Sequence, residues 1–314
     1  MILAVPRRAE LLAHVSALYY LDGCTQAVIA NRLQLSRQKV CRLLGFAREA
    51  GMVRIDVRPP QGVLMTLESE LEERFGLREV RVAALTDGRS PEWVRERIGV
   101  TAAADFVRTL RAEHVVGLVG AELLASMIDA VAPMSTSGVR VIQAVGWEQT
   151  ASEQRPLADL VRELAHRIEG CAVVLTVPSI VESGEVKRQL EADRHIGDAL
   201  RELDALDTLY VEIATGDACA AAVSKRPTAA GHIALRHFDD GGRMLGPVVD
   251  GHVVGITLQQ LRDARHVVAL AHGPAQAAAI MAALRTGLIH ALITDELTAR
   301  GIAALPSPPE GSAP

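Results

Sequence analysis

Two side chains on one short stretch carry the first chemical signal in this chain. Within residues 36–50 (SRQKVCRLLGFAREA), Val40, Leu43, Leu44 and Ala47 recur at helical spacing and define an apolar face. At about 100° per residue, the opposite face centres on Gln38 and Arg42, flanked by Lys39, Cys41 and Gly45. Gln and Arg pair bidentately with adenine and guanine edges, and the major groove of B-DNA admits one α-helix. The face is therefore a base-reading surface, or else the ordinary solvated side of a helical hairpin. In the first case Gln38 and Arg42 are expected on bases and Thr25, Arg37 and Lys39 on phosphates, with Gln26, Ser36 and Arg54 completing the DNA-facing set.

A second group of candidates lies where apolar runs give way to helical segments. Gly117 and Gly120 sit in VVGLVGAELL, Gln143 in VIQAVG, His272 and Gly273 after VVAL, and Asp295 at the end of ALITD. A glycine-rich turn that opens a helix can cradle an anion on its backbone N–H groups, although close strand–helix packing explains two glycines equally well. Asp295 is placed either to bind a hydroxyl or to cap the helix that begins at Glu296. Glu122, His272 and Asp295 offer an acid–base set, yet no nucleophile–base pair or metal motif is legible around them. The four cysteines, Cys24, Cys41, Cys171 and Cys219, lack the spacing of a metal site and read as reduced, so neither metal nor cofactor is expected.

The elements that must hold these residues fall into two parts. Residues 25–54 read as helix, turn and helix: Val28, Ile29 and Leu33 mark one face of the first, and Ser36 is placed to cap the second. A preceding helix over residues 7–21 ends at Asp22-Gly23, and MVRIDVR (52–58) alternates as a strand or wing. Arg54 and Arg58 on its outward side face phosphates, or are simply exposed. Residues 1–58 hold nine Lys/Arg against four Asp/Glu, while the remainder holds 24 against 34. A basic head on an acidic body is the charge pattern of a nucleic-acid binder, since cations release counterions from phosphates. With aromatic residues at 3%, the composition argues against base-stacking platforms for single strands.

Pro59-Pro60-Gln61-Gly62 marks a boundary, and LMTLESELEERF follows as a helix whose stripe of Leu64, Leu67, Leu71 and Phe75 packs on its own body or on a partner chain. From Val80 on, short β-branched runs, CAVVLTVPSIV (171–181) among them, alternate with helices, one of them through 184–203, which predicts a parallel sheet covered on both faces, with ligands at the carboxyl ends of its strands. The expected division is thus a winged helix-turn-helix domain over 1–58, an α/β effector-binding domain over 59–305 and a disordered tail over 306–314. No apolar run is long enough for a signal peptide or a membrane span, so a cytoplasmic protein is expected.

With both halves read, the sequence resembles the SorC family of bacterial transcriptional regulators. The resemblance rests on residues 11–55, on LESELEERFGLREVRV and on AAIMAALRTGLIHALITDELTAR, in the same order. It implies a Rossmann-like sugar-binding domain, a homodimer or homotetramer, and affinity for double-stranded operator DNA set by a phosphorylated sugar. Gln143 and Asp295 match the family pattern. Other positions depart from it: Gln276 stands where the family has lysine, Glu122 where it has a hydroxyl, His232 where it has aspartate, and Cys41 where serine is common. A missing cation and an added carboxylate disfavour phosphate. The expectation is therefore a regulator of a metabolic operon whose effector, held by Gly117, Gly120, Glu122, Gln143, His272, Gln276 and Asp295, is a sugar, polyol or related metabolite rather than the usual phosphosugar. The alternative is a sugar-phosphate isomerase or deaminase with an appended helical domain.

Overall fold

The computed structural model describes residues 5–53, 61–85, 90–147, 155–215, 229–245 and 251–306. Arg54, Arg58, most of the expected wing strand and the tail beyond residue 306 lie outside them. The chain divides into two compact units, residues 1–59 and 60–314.

The first unit is three helices around one small core. Helix α1 (Val5–Ser16) runs on into a π-turn at Ala17–Leu21, followed by α2 (Gln26–Leu33) and α3 (Arg37–Glu49). Leu12, Val15 and Leu18 pack against Ile29 and Ala30 of α2 and against Val40, Leu43, Leu44 and Ala47 of α3. The periodicity of α3 is thus met residue for residue. In α2 the buried face is shifted: Ile29 and Ala30 are inside, whereas Val28 is 50% exposed. Gln34 takes a left-handed conformation (φ 53°) that turns the chain between the two helices.

The second unit is built on a seven-stranded sheet that is parallel throughout. Its strands are β1 (Glu79–Ala83), β2 (Val115–Val119), β3 (Arg140–Gln143), β4 (Cys171–Val173), β5 (Thr208–Glu212), β9 (Val267–Leu270) and β10 (Ala291–Asp295), in the order β1-β10-β9-β5-β2-β3-β4. Helices α4 (Gln61–Phe75), α5 (Pro91–Thr109), α6 (Glu122–Ala130), α7 (Leu157–Arg167), α8 (Gly184–Ala192), α9 (Arg194–Arg201), α10 (Leu258–Asp263), α11 (Ala277–Arg285) and α12 (Glu296–Ala304) accompany it. Side chains alternate between two cores. Val115, Val119, Leu209, Val211, Val267 and Leu292 face the layer of α4, α11 and α12, while Val116, Leu118, Tyr210, Val268 and Ile293 face α5, α6 and α7.

Helix α4 packs on its own body, with Leu67 and Leu71 buried. Its Arg74 donates through Nη1 to the carbonyls of Ile302 (3.1 Å) and Ala303 (3.0 Å), and through Nη2 to that of Leu305, closing the C-terminal end of α12.

Three features differ from the sequence expectation. The apolar run 171–181 is a strand only over its first three residues. The helix expected through 184–203 is split at Asp193, whose extended backbone (ψ 134°) ends α8 and whose carboxylate caps α9. A small antiparallel sheet of β6 (Ala214–Thr215), β7 (Gly231–Ile233) and β8 (Arg236–Phe238) has no counterpart in that expectation. Its tight turn uses Ala234 (φ 47°) and Leu235 (φ 65°), both in the left-handed region that such a turn requires but neither a residue type that signals it.

Candidate functional site

In the helical unit, two hydroxyls set the starts of the helices. Thr25 Oγ1 accepts from the Val28 N–H at 3.4 Å and Ser36 Oγ from the Lys39 N–H at 3.2 Å. Each cap satisfies a backbone donor that the first helical turn leaves unpaired. Because Val40, Leu43, Leu44 and Ala47 fix the rotation of α3, the opposite side carries Arg37, Gln38, Lys39, Cys41 and Arg42, all exposed. Gln26 is half-buried at the start of α2. The result is a helix with a polar, cationic outer face, capped by Ser36, next to α2 with its own cap at Thr25.

In the α/β unit, the strand order changes direction between β2 and β5: the chain leaves β2 toward β3 on one side and β5 toward β9 on the other. Beyond the carboxyl ends of those strands lies the crevice where open parallel sheets bind ligands. Gly120 follows β2 there, with φ +144°, and opens α6. Gly117, by contrast, lies within β2, and a Cβ on it would sit 2.8 Å from Leu209 Cδ1, so close packing explains it.

Helix α6 has no side-chain cap of its own at Ala121. Its first N–H groups are taken by a residue from the neighbouring strand: Glu212 Oε1 accepts from Ala121 (2.8 Å) and Leu124 (2.9 Å). Burial pushes the Glu212 carboxyl up to about 7, opposed by those N–H groups. Glu212 is not among the residues that the sequence nominates. Its signal is one acid inside the apolar run TLYVEIAT, a residue type buried at a strand end only when paired.

Asp295 caps α12: Oδ1 accepts from the Thr298 N–H (3.0 Å) and Oδ2 from the Thr298 hydroxyl, whose oxygen in turn accepts from Gly273 N–H at 2.8 Å. His272 lies within the fields of Asp295, Arg95 and Glu122, and burial holds it below the usual imidazole range. The structure therefore brings Glu122, His272 and Asp295 into one neighbourhood and adds Arg95 of α5, which pairs with Glu122 at 3.7 Å and Glu92 at 3.4 Å. Gln276 is exposed at the start of α11.

Gln143 ends β3, beside β2, with no exposure, and neither its amide nitrogen nor its oxygen has a hydrogen-bond partner. An unpaired buried amide costs free energy that an incoming hydroxyl would recover. His232, which stands where the family has aspartate, and His237, which the sequence does not single out, face each other across β7 and β8 with ring centroids 5.4 Å apart. Burial lowers both, His232 to about 4, so both rings are neutral near pH 7. Among the described residues no cluster of metal-ligating side chains occurs, and no helix is long and apolar enough to cross a membrane.

The family model "Sugar-bind", a sugar-binding domain, matches residues 60–304. The transcriptional regulator LsrR of Enterobacter sp. (strain 638) is 30% identical over 316 residues, covering 94% of this chain and 93% of that protein. The deoxyribonucleoside regulator of Bacillus subtilis (strain 168) is 26% identical over 310 residues, covering 94% and 97%. Among solved structures, the full-length sorbitol operon regulator SorC from Klebsiella pneumoniae superposes with a TM-score of 0.73 at 24% identity, covering 94% of this chain and 98% of that one.

Proposed function

The chain belongs to the SorC family of sugar-binding transcriptional regulators, and from that premise we propose that α3 reads an operator while the crevice at β2 and β5 senses a small polyhydroxy effector. The observation that carries the reading is the division of α3 into a fully buried apolar face and an exposed face bearing Gln38 and Arg42. Arg37 and Lys39, with the N-terminal ends of α2 and α3 at Thr25, Gln26 and Ser36, position the helix on phosphates, and Arg54 extends that contact.

On the sensing side, Gln143, His272 and Asp295 hydrogen-bond the effector's hydroxyls, and Gly120 and Glu122 line its entrance. Glu122 and the absence of lysine at Gln276 support an unphosphorylated sugar, polyol or related metabolite as the ligand. The protein acts in the cytoplasm as a homodimer or homotetramer, with residues 1–58 as the DNA-binding domain and 59–305 as the effector-binding and oligomerisation domain. The relatives named above are regulators, which favours a regulator over an isomerase or deaminase.

The test is footprinting of the full-length protein on DNA upstream of its own gene, repeated with a panel of phosphorylated and unphosphorylated sugars. A protected site whose occupancy shifts with an unphosphorylated sugar supports the whole reading. Protection that responds only to a phosphosugar overturns the effector assignment, and absence of any protected site overturns the operator assignment.

A further inference from the structure

The N-terminus of α6 is where a parallel α/β fold offers backbone donors to an anionic ligand, because the first N–H groups of a helix point outward unpaired. In this chain two of those donors are already in use. Glu212, the last residue of β5, reaches across to Ala121 and Leu124 and holds both N–H groups through one oxygen, at 2.8 and 2.9 Å. Space for that reach comes from Gly120: a Cβ there would lie 2.6 Å from Glu212 Cγ and 2.8 Å from its Oε1. The glycine and the glutamate therefore form one device, in which the turn stays bare so that an internal carboxyl can enter. Helix α6 also has no side-chain cap of its own, so nothing else competes for these donors.

We propose that Glu212 is a specificity-determining residue: its carboxyl occupies the anion cradle of residues 120–124 and excludes phosphate from the effector crevice. The inference rests on the reading of this crevice as the effector site and names the group that sets its ligand class. The ligand that remains compatible is one that presents hydroxyls, matching the buried Gln143 amide, whose nitrogen and oxygen are both unpaired. Glu122, exposed on the first turn of α6, adds a second carboxylate at the mouth of the same cradle.

The test uses the full-length protein and inorganic phosphate as probe, with glucose 6-phosphate and glucose alongside it. Amide hydrogen exchange of the 120–124 segment is read with and without millimolar phosphate, and affinity is read by calorimetry. In the wild type, phosphate is expected to leave the exchange of this segment unchanged. In Glu212→Ala, phosphate is expected to slow it and to bind at least about tenfold more tightly, the discrimination that one or two charge-assisted hydrogen bonds carry. Glu212→Gln, which keeps the cradle filled, is expected to behave as wild type.

Phosphate protection of the segment in the wild type overturns the proposal, as does a folded Glu212→Ala protein that gains no phosphate affinity. If Glu212→Ala does not fold, Glu212→Asp, one methylene shorter, is read by the same criteria. Failure of every sugar to alter operator binding, with the Glu212 results as expected, would count against the effector reading alone and leave the role of Glu212 standing.

Discussion

Arg42→Ala separates base reading from charge. Arg42 is exposed on α3, on the face opposite Val40, Leu43, Leu44 and Ala47, so its truncation leaves the helical core intact. The melting behaviour should stay within about 0.5 kcal/mol of wild type, as for other surface substitutions. Removing a bidentate pairing with a base costs about 1–3 kcal/mol, or about 5- to 150-fold in affinity for each α3 seated on the operator. The assay is fluorescence anisotropy on the footprinted operator and on a scrambled duplex of equal length, across a salt series. Arg42→Ala should weaken the operator selectively and leave the scrambled duplex nearly unchanged. Arg37→Ala should weaken both and reduce the salt slope by about 0.9 for each phosphate that is no longer neutralised. An Arg42→Ala protein whose affinity falls equally for the two duplexes, with a matching fall in salt slope, refutes the assignment of α3's face, because Arg42 would then be touching phosphate.

Other substitutions probe the α/β unit. Gln143→Leu removes two buried amide atoms that have no partner, so the ligand-free protein should be stabilised by about 1–3 kcal/mol in urea unfolding while the effector-induced thermal shift disappears. Asp295→Ala strips the cap of α12 at a buried position and should cost about 1–2 kcal/mol or more in the same assay, with Asp295→Asn recovering part of the loss.

The stability profile against pH should have two limbs. His232 is depressed to about 4 by burial, so the unfolded chain binds the proton more readily, and stability falls as pH drops from the ordinary imidazole range toward 4. Glu212 is raised to about 7, so its contribution is full below the ordinary carboxylate range and is lost as pH rises through 7. Urea midpoints measured across this span should show His232→Asn flattening the acid limb and Glu212→Gln the neutral one.

Much of this architecture is legible in the sequence because it rests on period and punctuation. Val40, Leu43, Leu44 and Ala47 announce α3 by spacing, and the βα alternation announces the parallel sheet. What escapes depends on tertiary partners. Ala234 and Leu235 form a two-residue turn although nothing in their chemistry favours positive φ. Asp193 divides a continuous helical pattern because its carboxylate can cap the second half, an alternative that periodicity does not register. At the site, Gln143 and Asp295 can be nominated from their places at strand ends. Glu212 cannot be assigned a role that way, since its partners are backbone N–H groups on a segment some ninety positions earlier in the chain.

The two ends of α12 are held by residues of different standing. Asp295 grips its N-terminus inside the neighbourhood of His272 and Glu122, and Arg74 of α4 grips the carbonyls at its other end. A nine-residue helix is a stiff strut of about 14 Å. A push on Asp295 therefore has little local compliance in which to dissipate and reappears at Arg74. Arg74 lies on α4, the first helix of residues 60–314, so this strut ties the carboxyl end of β10 to the opening helix of the same unit.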